Sequence, residues 1–369
     1  MAVAKTIKKE RSSKTMRDGV AAVGLDLSDR KARFHVIDDE GETVETGTVV
    51  LEGPHLQRWA SNIAPTVMAI EAGTHSPWVS RLLTACGHEV IVANPVKVAL
   101  ITRNIRKSDA VDAEYLARLV RFDRKLLHPI EHRGEQAQLD LQVIRTREIM
   151  VQSRTKLIGH VRGAVKSFGA RLPKCATEAF VIKTRKVIPE QLRTALDPVY
   201  VQIEHLSATI AGYDRHIETT ARERYPEVER VAQIKGVGTL TGLTFVLLLE
   251  DATRFRRSRS VGAFLGLTSK REQSGEEDPQ RRITKAGDRL MRRLLLQSAH
   301  YILGAFGEDC DLRRHGMRIA ERGGKRAKKR AAVAVARKLS VLMHRLWISG
   351  ETYDPLRNGG KLAELPSAA

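Results

Sequence analysis

Three β-branched segments follow one another near the N-terminus with only short turns between them, and this run constrains the fold more than any other feature. AAVGLDLS, KARFHVIDDEG and ETVETGTVVL each have the length and composition of a strand, and DDEG has the grammar of a tight turn. They predict an antiparallel meander. GPHLQRWASNIA then reads as a helix, TVMAIEAG as a buried strand, HSPWVSRLLTACG as a helix closed by Gly87, and HEVIVANP as another strand. The helix of KSDAVDAEYLARL completes the order β, β, β, α, β, α, β, α. A meander that passes into alternating strand and helix predicts a mixed α/β sheet covered by helices.

Beyond Pro129 the strand signals stop for about ninety residues. EHRGEQAQLDLQVIRTREIMVQSRTKLIGHVRGAVKSFG places apolar residues at Leu139, Val143, Ile149, Leu157, Val161 and Val165 near helical spacing, and PEQLRTALDPVYVQIEHLSATIAGYDRHIETTARE resumes the pattern. Long antiparallel helices are expected, as a coiled coil or as a plain bundle. From Pro226 the chain reads as a helix, a GxG hairpin and a second helix in VAQIKGVGTLTGLTFVLLLEDATRF. A short helix, a polar loop and a long basic helix from Thr284 follow. ERGGKRAKKR is basic at six of its ten positions and precedes a final helix, AAVAVARKLSVLMHRLW. The tail after Gly350 reads as weakly ordered, and residues 1–18 as a disordered basic arm with no apolar core of a secretory signal.

Lys and Arg number 63 against 43 Asp and Glu, a formal charge of +20 that points to a polyanionic partner, nucleic acid ahead of anionic membrane. No run reaches the roughly 18 apolar residues of a membrane span. Cys86, Cys175 and Cys310 are odd in number, far apart and without zinc spacing, so the chain reads as cytosolic and reduced.

Four carboxylates carry the candidate chemistry. Asp26 lies among apolar neighbours in VGLDLS, where an acid is expensive unless paired or bound to a cation. Glu71 ends a buried strand, and strand ends are where sites of such sheets gather. Asp109 and Asp112 share a helix face at i and i+3. Hard divalent cations such as Mg²⁺ take oxygen ligands, and two ions held by shared carboxylates suit phosphodiester cleavage. The same helix pair equally suits an N-cap and first-turn acid. In IKGVGTLTG, Gly236 and Gly238 resemble a helix-hairpin-helix turn that admits a phosphate, or an ordinary tight connection. Ser274 precedes Gly275 in a polar loop; taken alone it is a turn residue. Arg281, Arg282, Lys285 and Arg289, with Arg292 and Arg293, form a basic flank to that loop, facing phosphates or solvent. The histidines show no metal-binding spacing; His75 alone lies near the carboxylates.

VGLDLSDRKARFHVID, MAIEAGTHSPWVSRLL, VIVANPVKV and RKSDAVDAEYLARL, followed by IKGVGTLTGLTFVLLLEDATRFRRSRSVGAFLGLTSKREQSG and RRITKAGDRLMRRLLLQSAH, resemble the DEDD transposases of RNA-guided insertion sequences, the insertion sequence 110/1111 family. The resemblance covers nearly the whole chain. It implies a RuvC-like domain of RNase H fold over 19–128 whose DEDD set falls on Asp26, Glu71, Asp109 and Asp112 and binds Mg²⁺. It implies a helical middle over 129–225, a C-terminal transposase domain over 226–350 with Ser274 as nucleophile, and a tail over 351–369. It further implies double-stranded donor and target DNA, a structured noncoding guide RNA, a homotetramer with composite sites, and a prokaryotic cytoplasm at the nucleoid. Glu276, Glu277 and Asp278 depart from the glycine or basic residues expected beside DNA. The rival readings are a RuvC-like junction endonuclease using water, an actin-like sugar kinase, disfavoured by the charge and the missing second α/β copy, and a non-enzymatic nucleic-acid binder.

Overall fold

A computed structural model describes residues 20–98, 108–271 and 281–358. The chain divides into two compact units, at Arg133 and Gly134. The arm at 1–18, Ser274 with its acidic neighbours, and the tail from 359 lie outside the described residues.

The first unit runs β1 Ala22–Leu27, β2 Lys31–Ile37, β3 Thr43–Val50, α1 Gly53–Ser61, β4 Val67–Glu71, α2 Ser76–Ala85, β5 Glu89–Ala93, α3 Pro95–Val98 and α4 Asp109–Phe122. The expected order holds. The five strands make one sheet in the order β3-β2-β1-β4-β5. The meander β1–β3 is antiparallel, while β4 joins β1 and β5 joins β4 in parallel. This mixed sheet with helices on both faces is consistent with an RNase H-like fold.

Alternation along the strands sorts the two faces. Val23, Leu25, Met68 and Ile70 pack with Leu56 and Ala60 of α1 and Val79 and Leu83 of α2. Ala22 and Ala69 pack with Leu116, Ala117 and Val120 of α4 on the opposite face. Gly24 is the residue that lets α4 settle there. A Cβ at Gly24 would lie 2.1 Å from the Ala113 carbonyl oxygen and 2.5 Å from the Ala117 nitrogen, so helix backbone rests directly on strand backbone. The direction of α4 is fixed by its last turns. Arg118 Nη1 donates to the Gly41 carbonyl at 3.0 Å and Arg121 donates to the Asp39 carbonyl, both in the β2–β3 turn. That turn flanks the start of β1, because Ala22 pairs with Ile37. The N-terminus of α4 therefore lies toward the carboxyl end of β1.

The second unit comprises α5 Glu135–Ser167, α6 Phe180–Thr184, α7 Arg193–Arg224, α8 Glu227–Ala232, α9 Thr239–Leu249, α10 Arg259–Phe264, α11 Arg289–Leu303, α12 Asp311–Ala320 and α13 Gly324–Ser349. The long helices α5 and α7 form an antiparallel hairpin. Arg147 pairs with Asp214 at 2.6 Å, Arg154 reaches Ser207 at 3.2 Å, and Val161 and Val165 meet Leu196, Tyr200 and Ile203 at the far end. At the near end Asp140, buried at 5% exposure, accepts from Arg224 at 2.6 Å, from the Tyr225 hydroxyl at 2.8 Å and from Gln136 at 3.2 Å.

The division expected between a middle region and a C-terminal domain is not a boundary between compact units. Ala137, Leu141, Ile144, Ile217 and Ala221 join one core with α9, which is buried from Thr241 to Leu249, and with α11 and α13. The expected apolar stripe of α5 is corrected in part: Leu139 and Ile149 are each 57% exposed, and the inward side carries Ala137, Asp140, Leu141, Ile144 and Arg154 instead. Two further expectations change. The basic run at 325–330 forms the first turns of α13 itself. Residues 351–358 are tied down, with Asp311 N donating to the Pro355 carbonyl at 2.8 Å and Tyr353 N to Gln233 Oε1 at 2.8 Å.

Gly24→Ala must drive α4 off the sheet, with a destabilisation of about 3 kcal/mol, at the upper end of overpacking costs. Urea unfolding followed by the fluorescence of Trp59 and Trp78 measures it, and a wild-type midpoint would mean that α4 does not rest on β1 this closely.

Candidate active site

Asp26 occupies the carboxyl end of β1, opposite Arg33 of β2. Leu25 pairs with Ile70, so one step further Asp26 and Glu71 stand side by side at the ends of parallel strands. Both are half-buried, and two-residue alternation puts them on the α4 face with Ala22 and Ala69. They line one cleft of about 370 Å³ together with Ser28, Asp29, Thr74 and His75.

Asp109 and Asp112 occupy the first turn of α4. The capping role lies with Ser108, whose Oγ accepts from Val111 N at 3.4 Å, so Asp109 is not the N-cap. Both acids still favour the positive end of the helix dipole. Asp109 lines a second cleft of about 540 Å³ with Ser28, Lys31, Arg33 and Thr48, and Ser28 borders both clefts. The sheet end thus carries Asp26 and Glu71 in one cleft and Asp109 in its neighbour, with Asp112 three residues further along α4. Among the described residues no three Asp, Glu, His or Cys side chains group closely enough to hold a metal ion. The all-oxygen donor set fits a hard divalent cation in kind.

In the second unit the chain on either side of 272–280 forms a short antiparallel pair. Lys270 N donates to the Arg282 carbonyl and Thr284 N to the Thr268 carbonyl, each at 2.9 Å, and Ser269 faces Ile283. Ser274 lies outside the described residues, between the two halves of this pair in the sequence. The basic helix begins later than its periodicity predicts. Asp288 caps α11 by accepting from Met291 N at 2.8 Å, so Thr284 and Lys285 precede the helix and Lys285 takes a positive φ of 57°.

The flanking cations divide into two kinds. Arg292 donates to the Leu265 carbonyl at 3.3 Å and to the Ala286 carbonyl, and Arg293 pairs with Glu148, so both hold the scaffold. Arg281, Arg282, Lys285 and Arg289 are exposed. Gly236 has a packing reason of its own: φ is +94°, and a Cβ there would lie 2.8 Å from Tyr301 Cδ1. Gly238 precedes α9 with open space on its Cβ side and no side-chain cap.

One basic surface escapes a reading by motif. Arg326, Arg330 and Arg337 share a stripe of α13, and the Arg337 side chain lies 3.1 Å from a Cβ position on Gly262 of α10. Arg256, Arg257 and Arg259 are exposed at the approach to α10, and none of these six pairs with a carboxylate among the described residues. His344 anchors α13 to this approach. Its Nδ1 meets Ser258 Oγ at 3.0 Å and its Nε2 the Ala252 carbonyl at 2.9 Å, and burial pushes the imidazole pKa down. RFRRSR and ERGGKRAKKR were visible as composition; packing brings Arg337 and His344, later in the same helix, against the α10 segment.

A family model described as a transposase matches residues 23–169, and one described as the transposase IS116/IS110/IS902 family matches residues 228–309. The first range holds all four acids and the second spans position 274. The chain is 25% identical over 353 residues to the transposase for insertion sequence element IS1111A of Coxiella burnetii, covering 94% of each chain. It is 26% identical over 301 residues to a probable family 20 transposase of Pseudomonas aeruginosa, covering 80% of this chain and 87% of the relative. The transposase for insertion sequence element IS1328 of Yersinia enterocolitica is 24% identical over 286 residues, 76% of this chain and 83% of its own length. With the sheet order, the acids at its carboxyl end and these matches in register along the sequence, the chain belongs to the IS110 family of DEDD insertion-sequence transposases.

Proposed function

We propose that this transposase cuts and rejoins DNA with Ser274 as nucleophile and with Asp26, Glu71, Asp109 and Asp112 as the ligands of two Mg²⁺ ions, in a homotetramer directed by a structured noncoding RNA. Asp26 and Glu71 at adjacent strand ends, with Asp109 and Asp112 in the first turn of α4, support the reading. When bound, divalent cations would stabilise the charge that develops on the scissile phosphate. The Ser274 oxygen bonds to phosphorus while the bond from phosphorus to one deoxyribose oxygen breaks; the serine proton leaves to solvent and the departing oxygen ends as a hydroxyl. The resulting phosphoserine link conserves the bond energy for rejoining. The short antiparallel pair of 268–270 with 282–284 flanks the segment that carries Ser274 in the sequence. Arg281, Arg282, Lys285 and Arg289 line the strand's phosphates beside it. The turn at Gly236 and Gly238 offers backbone N–H groups to a further phosphate in the manner of a helix-hairpin-helix. A nucleoid-bound, cytoplasmic location follows from such a substrate.

The six arginines of the α10–α13 surface extend this contact along a duplex. They have no carboxylate partner among the described residues, which suits phosphate recognition.

Trapping and mapping a covalent protein–DNA adduct tests the nucleophile. Ser274→Ala should form none, and an adduct at wild-type level would remove Ser274 from the role. Free 5′-phosphate ends with no adduct in the wild type would instead mark attack by water. Sequencing the RNA that co-purifies with the protein should yield one discrete species; a heterogeneous smear would argue against guidance.

Asp109→Asn and Asp112→Asn should each abolish strand cleavage while changing stability by no more than about 1 kcal/mol, the scale of a first-turn dipole interaction. A large drop in melting temperature would return the pair to a structural role. Exchanging Arg326, Arg330 and Arg337 together for Gln should make the slope of log affinity for duplex DNA against log salt shallower by about 2 to 3. An unchanged slope would remove this surface from the DNA contact.

A further inference from the structure

His75 lines the same cleft as Asp26 and Glu71, and its surroundings decide which ring nitrogen carries the proton. The loop that delivers it is fixed from within: Ser76 Oγ accepts from Gly73 N at 2.9 Å and donates to the Gly73 carbonyl at 2.8 Å, immediately before α2 begins. One turn into α2, Trp78 packs against the core of the first unit and points its indole N–H at His75 Nδ1, 3.2 Å away. The rings meet edge to face at 6.2 Å and 84°. An indole nitrogen only donates, so Nδ1 must present its lone pair and the ring proton sits on Nε2.

The Nε2 side of the ring faces Asp29 Oδ1 at 3.9 Å, too long for a hydrogen bond, and the Asp29 side chain is 92% exposed. Asp29 therefore holds no fixed claim on the Nε2–H. A nitrogen that carries its proton is also no metal ligand, which separates His75 from the carboxylates beside it. What remains is a donor of fixed tautomer on the wall of the carboxylate cleft, suited to an anionic oxygen.

We propose that His75 donates its Nε2–H to a non-bridging phosphate oxygen of the DNA strand seated in the Asp26–Glu71 cleft, with Trp78 as the positioning residue that fixes the tautomer. This rests on the reading of that cleft as the site of strand cleavage. Asp29 swings aside into solvent as the phosphate enters.

The experiment has two arms on the full-length protein. In the first, ¹⁵N-histidine labelling, with the His75 signal assigned by its loss in His75→Gln, should show an unprotonated Nδ1 and a protonated Nε2. Inorganic phosphate should shift the Nε2 resonance, and Trp78→Phe should mix the tautomers. A protonated Nδ1 in the wild type, or no response of Nε2 to phosphate, overturns the proposal without reference to catalysis. In the second arm, cleavage of a plasmid bearing the ends of the insertion sequence is measured with the co-purified RNA. Asn at position 75 keeps an acceptor toward Trp78 but is too short to reach the cleft, whereas the amide of Gln matches the position of Nε2. His75→Asn should lower kcat/KM by about 10- to 100-fold, the loss of one hydrogen bond to a charged group. His75→Gln should recover it to within about threefold, with melting temperatures unchanged in both. Equal activities for the two variants overturn the proposal. Wild-type cleavage by Asp26→Asn would instead overturn the reading of the cleft itself, so the two failures are told apart.

Discussion

The contact on which the first unit depends is the bare approach of α4 to β1 at Gly24. No side chain separates the helix backbone from the strand, since the space a Cβ would occupy lies 2.1 Å from the Ala113 carbonyl. The placement of the α4 acids follows from that closeness. The helix is pinned at its far end by Arg118 and Arg121 on the β2–β3 turn, so its acidic first turn falls at the end of the sheet where Asp26 and Glu71 emerge. Had the strand carried any larger residue at that position, the two acids of the helix and the two of the sheet would be held apart by the thickness of a side chain.

The second unit solves a different problem. A helix as apolar as α9 can only be stable when surrounded, and the ends of α5 and α7 supply part of the surround, together with α11 and α13. The hairpin is then anchored by a buried charge, Asp140, which is tolerable because Arg224, Tyr225 and Gln136 satisfy it from neighbouring turns. Cations in this unit fall accordingly into those that close the scaffold, such as Arg147, Arg292 and Arg293, and those on the α10–α13 surface that have no carboxylate partner among the described residues. The second group fits a nucleic-acid contact, because a stable fold has no use of its own for like charges gathered on one helix stripe.

Much of this was legible before the structure. The meander and the alternation after it follow from two-residue periodicity and turn residues, and strand position alone singled out Asp26 and Glu71. The misreadings have physical causes. Leu139 and Ile149 matched a helical repeat yet face outward, because ion pairs and polar contacts at Asp140 and Arg154 could be satisfied against α7 and moved the seam around the helix. The start of α11 was placed too early, since Thr284 and Lys285 fit the helical period but hydrogen-bond back to Thr268 and Gly266 in a short antiparallel pair. Residues 351–358 looked like an idle tail because their partners, Asp311 and Gln233, are remote in sequence.

The sequence by itself determined the local elements, their order, the excess of positive charge and the kinds of donor present, because period, capping and composition are properties of neighbouring residues. Only the tertiary structure decided which donors meet. Strand register sets Asp26 beside Glu71, the glycine contact brings α4 over them, and the Trp78 indole fixes the face that His75 turns to the cleft. Those choices depend on hydrogen-bond register and on the distance between backbones, and neither is written in any local stretch of the chain.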